Sequence, residues 1–103
     1  MEVNIEKPDD DFSAAFMRAV ELANRLADND HESDVLDIAD GILAGAVQYW
    51  MYSRQPCGDP QCEACEITST GEGRVAEILR LVRFFAQESA YFTSPTDGNV
   101  GHA

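Results

Sequence analysis

The chain has 103 residues, with 19 acidic and 7 basic side chains and a formal net charge of −12. Its sequence pI is about 4.2. At this length one domain is the ceiling, and a hydrophobic content of 45% argues for folding rather than global disorder. Direct binding to a nucleic-acid backbone or to an anionic membrane surface is not expected. Both need clustered Lys and Arg, and Lys7 is the single lysine.

No apolar run approaches the roughly 20 residues of a spanning helix. The longest, residues 41–47 (GILAGAV), ends at Gln48. Residues 1–6 are acidic and carry no apolar core of a secretory signal, so a cytoplasmic location is expected. The sequence organises as an arm (1–9), a single helical domain (10–92) with a cysteine-containing loop at 55–71, and a tail (93–103).

The first helix is predicted over residues 10–28. Asp9, Asp10 and Asp11 open it, where acids face the positive end of the helix dipole. Phe12, Ala15, Phe16, Ala19, Val20, Ala23, Leu26 and Ala27 recur on one face, and Arg18, Glu21, Arg25 and Asp28 on the other. Residues 29–33 (NDHES) then punctuate the chain. Asn29, Asp30 or Ser33 can cap the next helix, and Asn29 with Glu32 has capping-box spacing.

The second helix is predicted to run to about Ser53, with a wide apolar arc of Val35, Leu36, Ile38, Ala39, Ile42, Leu43, Ala46, Val47 and Trp50. Its short link to the first implies antiparallel neighbours. Gly41 and Gly45 each cost about 1 kcal/mol against alanine in a helix, so a close helix–helix approach is expected there. The third helix is expected from near Thr70 to about Phe92, with Ser69-x-x-Glu72 as a capping box. Val75, Ile78, Leu79, Val82, Phe85 and Ala86 form its main face, and Leu81, Phe84, Tyr91 and Phe92 fall outside it. Thr93-Ser94-Pro95 stops it, and residues 96–103 read as a flexible tail.

The fold class is therefore all-α, a three-helix up-down-up bundle. Three helices make a thin core, and the second and third carry more apolar surface than two partners cover. Completion by a homodimer is expected.

All three cysteines fall within nine residues, as Cys57-x4-Cys62-x2-Cys65. Thiolates this close can converge on one metal ion, and zinc, which takes four ligands, is the metal expected. His31 is the leading fourth ligand. It lies at the turn between the first two helices, at the far end of an up-down-up bundle, so it would have to come from an antiparallel partner chain. His102, Asp59, Glu63 and Glu66 are the alternatives. Plant-type [2Fe–2S] ferredoxins share the spacing but add a distant fourth cysteine, which this helical chain lacks. A Cys62–Cys65 disulfide and three free thiols are the competing readings. The neighbouring acids are expected to raise the thiol pKa values by like-charge repulsion, which favours a structural role over a nucleophilic one.

Asp34, Asp37 and Asp40 recur at i, i+3 and i+6. A solvated acidic face is expected over a Mg²⁺ site for phosphate hydrolysis, because no basic or glycine-rich phosphate cradle accompanies them. Residues 1–40 carry 12 acids and 3 bases, a net of −9. This one-sided charge points to a non-enzymatic interaction or regulatory module that engages a basic protein surface through Asp34, Asp37, Asp40 and Tyr52. A zinc-binding protein built on the cysteine loop is the alternative. No triad, HExxH or P-loop is present.

Overall fold

The computed structural model describes residues 10–30 and 32–97. They form three α-helices, α1 (Asp11–Asn29), α2 (Val35–Ser53) and α3 (Gly71–Glu88), and a 3-10 turn at Glu63–Cys65, with no strand among the described residues. The expected all-helical class is met. Contacts group the chain into two compact units, one ending at Tyr49 and the other beginning at Trp50, so the boundary falls inside α2.

In the first unit, the turn after α1 is closed by its own polar side chains. Asp30 Oδ1 accepts from the Glu32 N–H at 2.9 Å, and the Ser33 N–H donates to the Asp30 carbonyl at 2.9 Å. Ser33 Oγ donates to the Leu26 carbonyl at 3.3 Å, which ties the turn to the last turn of α1. The capping box expected from Asn29 and Glu32 does not form, because Asn29 is the last residue of α1. Asp34 caps α2 instead. Its Oδ1 accepts from the Leu36 N–H at 2.9 Å, and its carbonyl accepts the first helical bond, from Ile38 at 3.0 Å. Asp30 drives the displacement: by holding the Glu32 N–H it makes a local turn that competes with helix.

The covered strip of α1 is rotated from its sequence face. Ser13, Ala14, Met17, Val20, Glu21, Ala23, Asn24 and Ala27 are half-buried. Phe12 and Phe16, predicted on the core face, are more than half exposed. On α2, Ile38, Ile42 and Val47 are half-buried, while Leu36 stays 77% exposed. Gly41 and Gly45 do not mark a close approach within the chain, since a Cβ on either would meet nothing within 4 Å.

In the second unit, α3 begins at Gly71 with Thr70 as its N-cap, the Thr70 Oγ1 accepting from the Gly73 N–H at 2.9 Å. Ser69 is not the cap; its Oγ donates to the Glu66 carbonyl at 3.0 Å. Ile78 of α3 and Thr68 of the preceding loop are the buried residues among those described. Leu81, predicted off the core face, is half-buried beside Ile78, and Val75, Leu79 and Val82, predicted on it, are exposed. The helix stops at Glu88, four residues before the expected end. Ser89 causes this, because its Oγ accepts from the Tyr91 N–H at 3.1 Å and diverts the chain into a turn. Thr96 and Asp97, read as flexible tail, belong to a further turn in which the Ser94 N–H donates to Asp97 Oδ2 at 2.6 Å.

Candidate metal centre

The loop between α2 and α3 is folded by short-range bonds that bring the three cysteines together. Ser53 Oγ donates to the Trp50 carbonyl at 2.7 Å as α2 ends, and the Arg54 guanidinium lies over the Trp50 ring, 4.8 Å from its centroid. Gly58 then takes φ +89°, a left-handed conformation that a side chain would strain, and turns the chain just after Cys57. Asp59 organises the next step. Its Oδ1 accepts from the Gln61 N–H at 2.9 Å and its carbonyl from the Cys62 N–H at 3.0 Å. Cys62 caps the 3-10 turn at Glu63–Cys65, and its carbonyl accepts from the Cys65 N–H at 3.3 Å. With three residues per turn, positions i and i+3 stack, so Cys62 and Cys65 present their sulfurs on one side.

Cys65 Sγ lies 3.5 Å from Cys62 Sγ and 3.6 Å from Cys57 Sγ. It also accepts from the Cys57 N–H at 3.4 Å. All three sulfurs lie within 4.8 Å of one another. They are free thiols, not a disulfide. Four ligands at zinc–sulfur bonds of about 2.3 Å put the sulfurs of a tetrahedron about 3.8 Å apart. The cluster is therefore close to the spacing a thiolate metal site needs, and it can hold a metal. Cys57 is exposed, and the half-buried Cys62 and Cys65 line an open hollow together with Pro56, Gly58 and Pro60.

The thiols do not respond alike to their surroundings. Cys57 is held below the usual thiol range, chiefly because the Asp59 backbone N–H donates to its sulfur, with the Cys62 and Cys65 thiols adding to the effect. At Cys65 the Cys57 backbone N–H pulls the pKa down, but hydrogen bonding with the Cys62 and Cys57 thiols and desolvation outweigh it, and the net direction is up. The expectation that nearby acids raise the thiols is thus corrected in direction at Cys57, which donors at its sulfur lower, and in cause at Cys65, which neighbouring thiols and desolvation raise.

The loop is fastened to α3 by three residues whose roles the sequence did not reveal. Arg74 Nη1 donates to the Thr68 carbonyl at 3.0 Å across the buried Thr68. Gly73 packs so closely under the Ile67 carbonyl that a Cβ would collide with that oxygen. A glycine in the first turn of a helix, where it costs stability, was the one sequence signal of this contact.

The remaining candidates fall elsewhere. His31 and His102 lie outside the described residues. Among the described residues, no carboxylate of Asp59, Glu63 or Glu66 joins the sulfur cluster. Asp34, Asp37 and Asp40 are exposed on and beside the first turns of α2, and Tyr52 is exposed in its last turn.

The chain matches no family model, no curated protein and no solved structure. No helix of the described residues is long and apolar enough to cross a membrane.

Proposed function

We propose that the chain is a small metal-binding protein in which Cys57, Cys62 and Cys65 hold zinc in a structural or sensing role. The observation that carries this reading is the convergence of three free thiols within 4.8 Å. Thiolate donors suit zinc, and the fourth ligand is proposed to be the neutral imidazole of His31, supplied by a second copy. Binding would tie together a loop otherwise held by local turns, so the metal adds directly to folding free energy. Elemental analysis of protein purified without chelator tests the proposal. About one zinc per chain is expected, and less than about 0.2 per chain with no uptake of added zinc would refute it.

A second, non-enzymatic reading rests on the exposure of Asp34, Asp37 and Asp40 along one end of α2. These acids, with Tyr52, are proposed to engage a basic protein surface, by an association that weakens as salt rises. Exposed Leu36, Leu43 and Leu79 support the further proposal that a homodimer completes an up-down-up bundle. Native mass checks it, and a monomer at all concentrations would refute it.

A further inference from the structure

We propose that the same three sulfurs form a binding site for a thiophilic trivalent metalloid of the arsenite class, held by three sulfur bonds and no other protein ligand. The proposal rests on the cysteine cluster of the zinc reading, but not on zinc itself being bound.

Geometry is the first support. Cys65 Sγ sits 3.5 and 3.6 Å from its two neighbours. At bonds of about 2.3 Å and angles of about 100°, a three-coordinate pyramid places its sulfurs about 3.5 Å apart, which these two separations suit, and the third pair lies within 4.8 Å. The donor set is the second. Among the described residues the cluster contains three ligands and no fourth His, Cys, Asp or Glu. Zinc prefers four. A trivalent ion with a lone pair is complete with three.

Charge is the third. Residues 54–74 carry Asp59, Glu63, Glu66 and Glu72 against Arg54 and Arg74, a net of −2. Three thiolates on a divalent cation leave a centre of charge −1 among these carboxylates. Three thiolates on a trivalent centre leave it neutral, so the surrounding acids no longer oppose the complex. Access is the fourth. Cys57 is exposed, and Cys62 and Cys65 line an open hollow, so a small neutral solute such as arsenious acid can approach the sulfurs from solvent.

The reaction balances without a redox partner. Three As–S bonds form and three As–O bonds break, and each thiol proton leaves with a hydroxyl as water. Arsenic stays trivalent and sulfur stays at the thiol level. The first thiol to react is the exposed Cys57, and the 3-10 turn then offers Cys62 and Cys65 side by side.

The test uses the full chain, reduced and metal-free, with one equivalent of sodium arsenite. The expected product gains one arsenic and loses three hydrogens by intact mass, loses all three titratable thiols, and no longer takes up zinc. Cys57→Ser, Cys62→Ser and Cys65→Ser, each checked for helicity, should give two-sulfur adducts that keep one hydroxyl on arsenic. Their binding should be weaker by about tenfold or more, a change of about 1.4 kcal/mol. A wild-type adduct that keeps a hydroxyl, wild-type affinity in every serine variant, or no adduct at all would overturn the inference. Zinc titration of the same samples separates the two readings. Zinc uptake without a three-sulfur arsenic adduct removes this inference alone, and the adduct without zinc uptake removes the zinc proposal alone.

Discussion

Replacing Gly73 by alanine sets two physical effects against each other at one position. Helix propensity favours Gly73→Ala by about 1 kcal/mol at an interior site. Against this, the added Cβ would collide with the Ile67 carbonyl oxygen and press on Thr70 Oγ1, 3.1 Å away. The first obstacle is backbone, so relief requires the loop or the first turn of α3 to shift. Overpacking of this kind costs about 1–3 kcal/mol. The shift also breaks the Gly73 N–H to Thr70 Oγ1 bond, a cap worth about 1 kcal/mol. The net expectation is a loss of about 1–3 kcal/mol, with about 4–8 °C lost in Tm per kcal/mol for a chain of this size. Gly71→Ala is the matched control two residues away. Its Cβ would meet only the flexible Arg74 Nη2, at an ordinary 3.8 Å, so it should be neutral or stabilising. Urea and thermal unfolding of the metal-free variants give both values. Equal stability of the two alanine variants would refute the close contact between the loop and α3.

Other expectations follow from the same geometry. Gly41→Ala and Gly45→Ala should each stabilise the monomeric chain by up to about 1 kcal/mol, since nothing lies within 4 Å of either new Cβ; destabilisation that deepens with protein concentration would instead place the partner helix of a dimer there. Asp34→Ala should cost about 1 kcal/mol in urea unfolding through the lost α2 cap, whereas Asp34→Asn keeps an N-cap acceptor and should cost little. Asn is therefore the substitution to use when the acidic face is neutralised for partner-binding assays. Zinc affinity should fall as pH falls, because each thiolate that must first lose a proton contributes about tenfold per unit below its pKa. Cys65, raised, would compete first and Cys57, lowered, last; chelator competition across a pH series measures this, and a flat profile would refute thiolate ligation.

Helix number and type were legible because 3.6-residue periodicity is strong in α1 and α3 and the apolar arc of α2 is long and unbroken by proline, and α2 ends at Ser53 as read. Which part of each apolar face is covered was not. Periodicity reports where apolar residues lie, not how many neighbours they have, so Phe16 and Leu79 were assigned to a core that leaves them exposed. Helix ends failed where a polar side chain had two options. Asp30 and Ser89 spend theirs on local turns, which moved one start and one stop. The cysteine cluster was visible in its spacing alone, since three thiols within nine residues have few ways to stay apart. Its fastening by Arg74, Thr68 and Gly73 was hidden, because a carbonyl contact leaves almost no trace in residue type.

The bonds that shape the cysteine loop are all local in sequence. Cys57 and Cys65 are eight residues apart, and the Arg74–Thr68 bond spans six. Closing a ten-residue loop takes about 10–100 ns, against up to about 1 μs for helix formation in a peptide. Low contact order of this kind lets the sulfur cluster assemble before distant helices find one another. A loop that binds zinc as proposed would therefore be able to capture the ion on the growing chain, once residues 57–74 have left the ribosome. Its loading would then be set by ion availability during synthesis rather than by the opening of a finished fold.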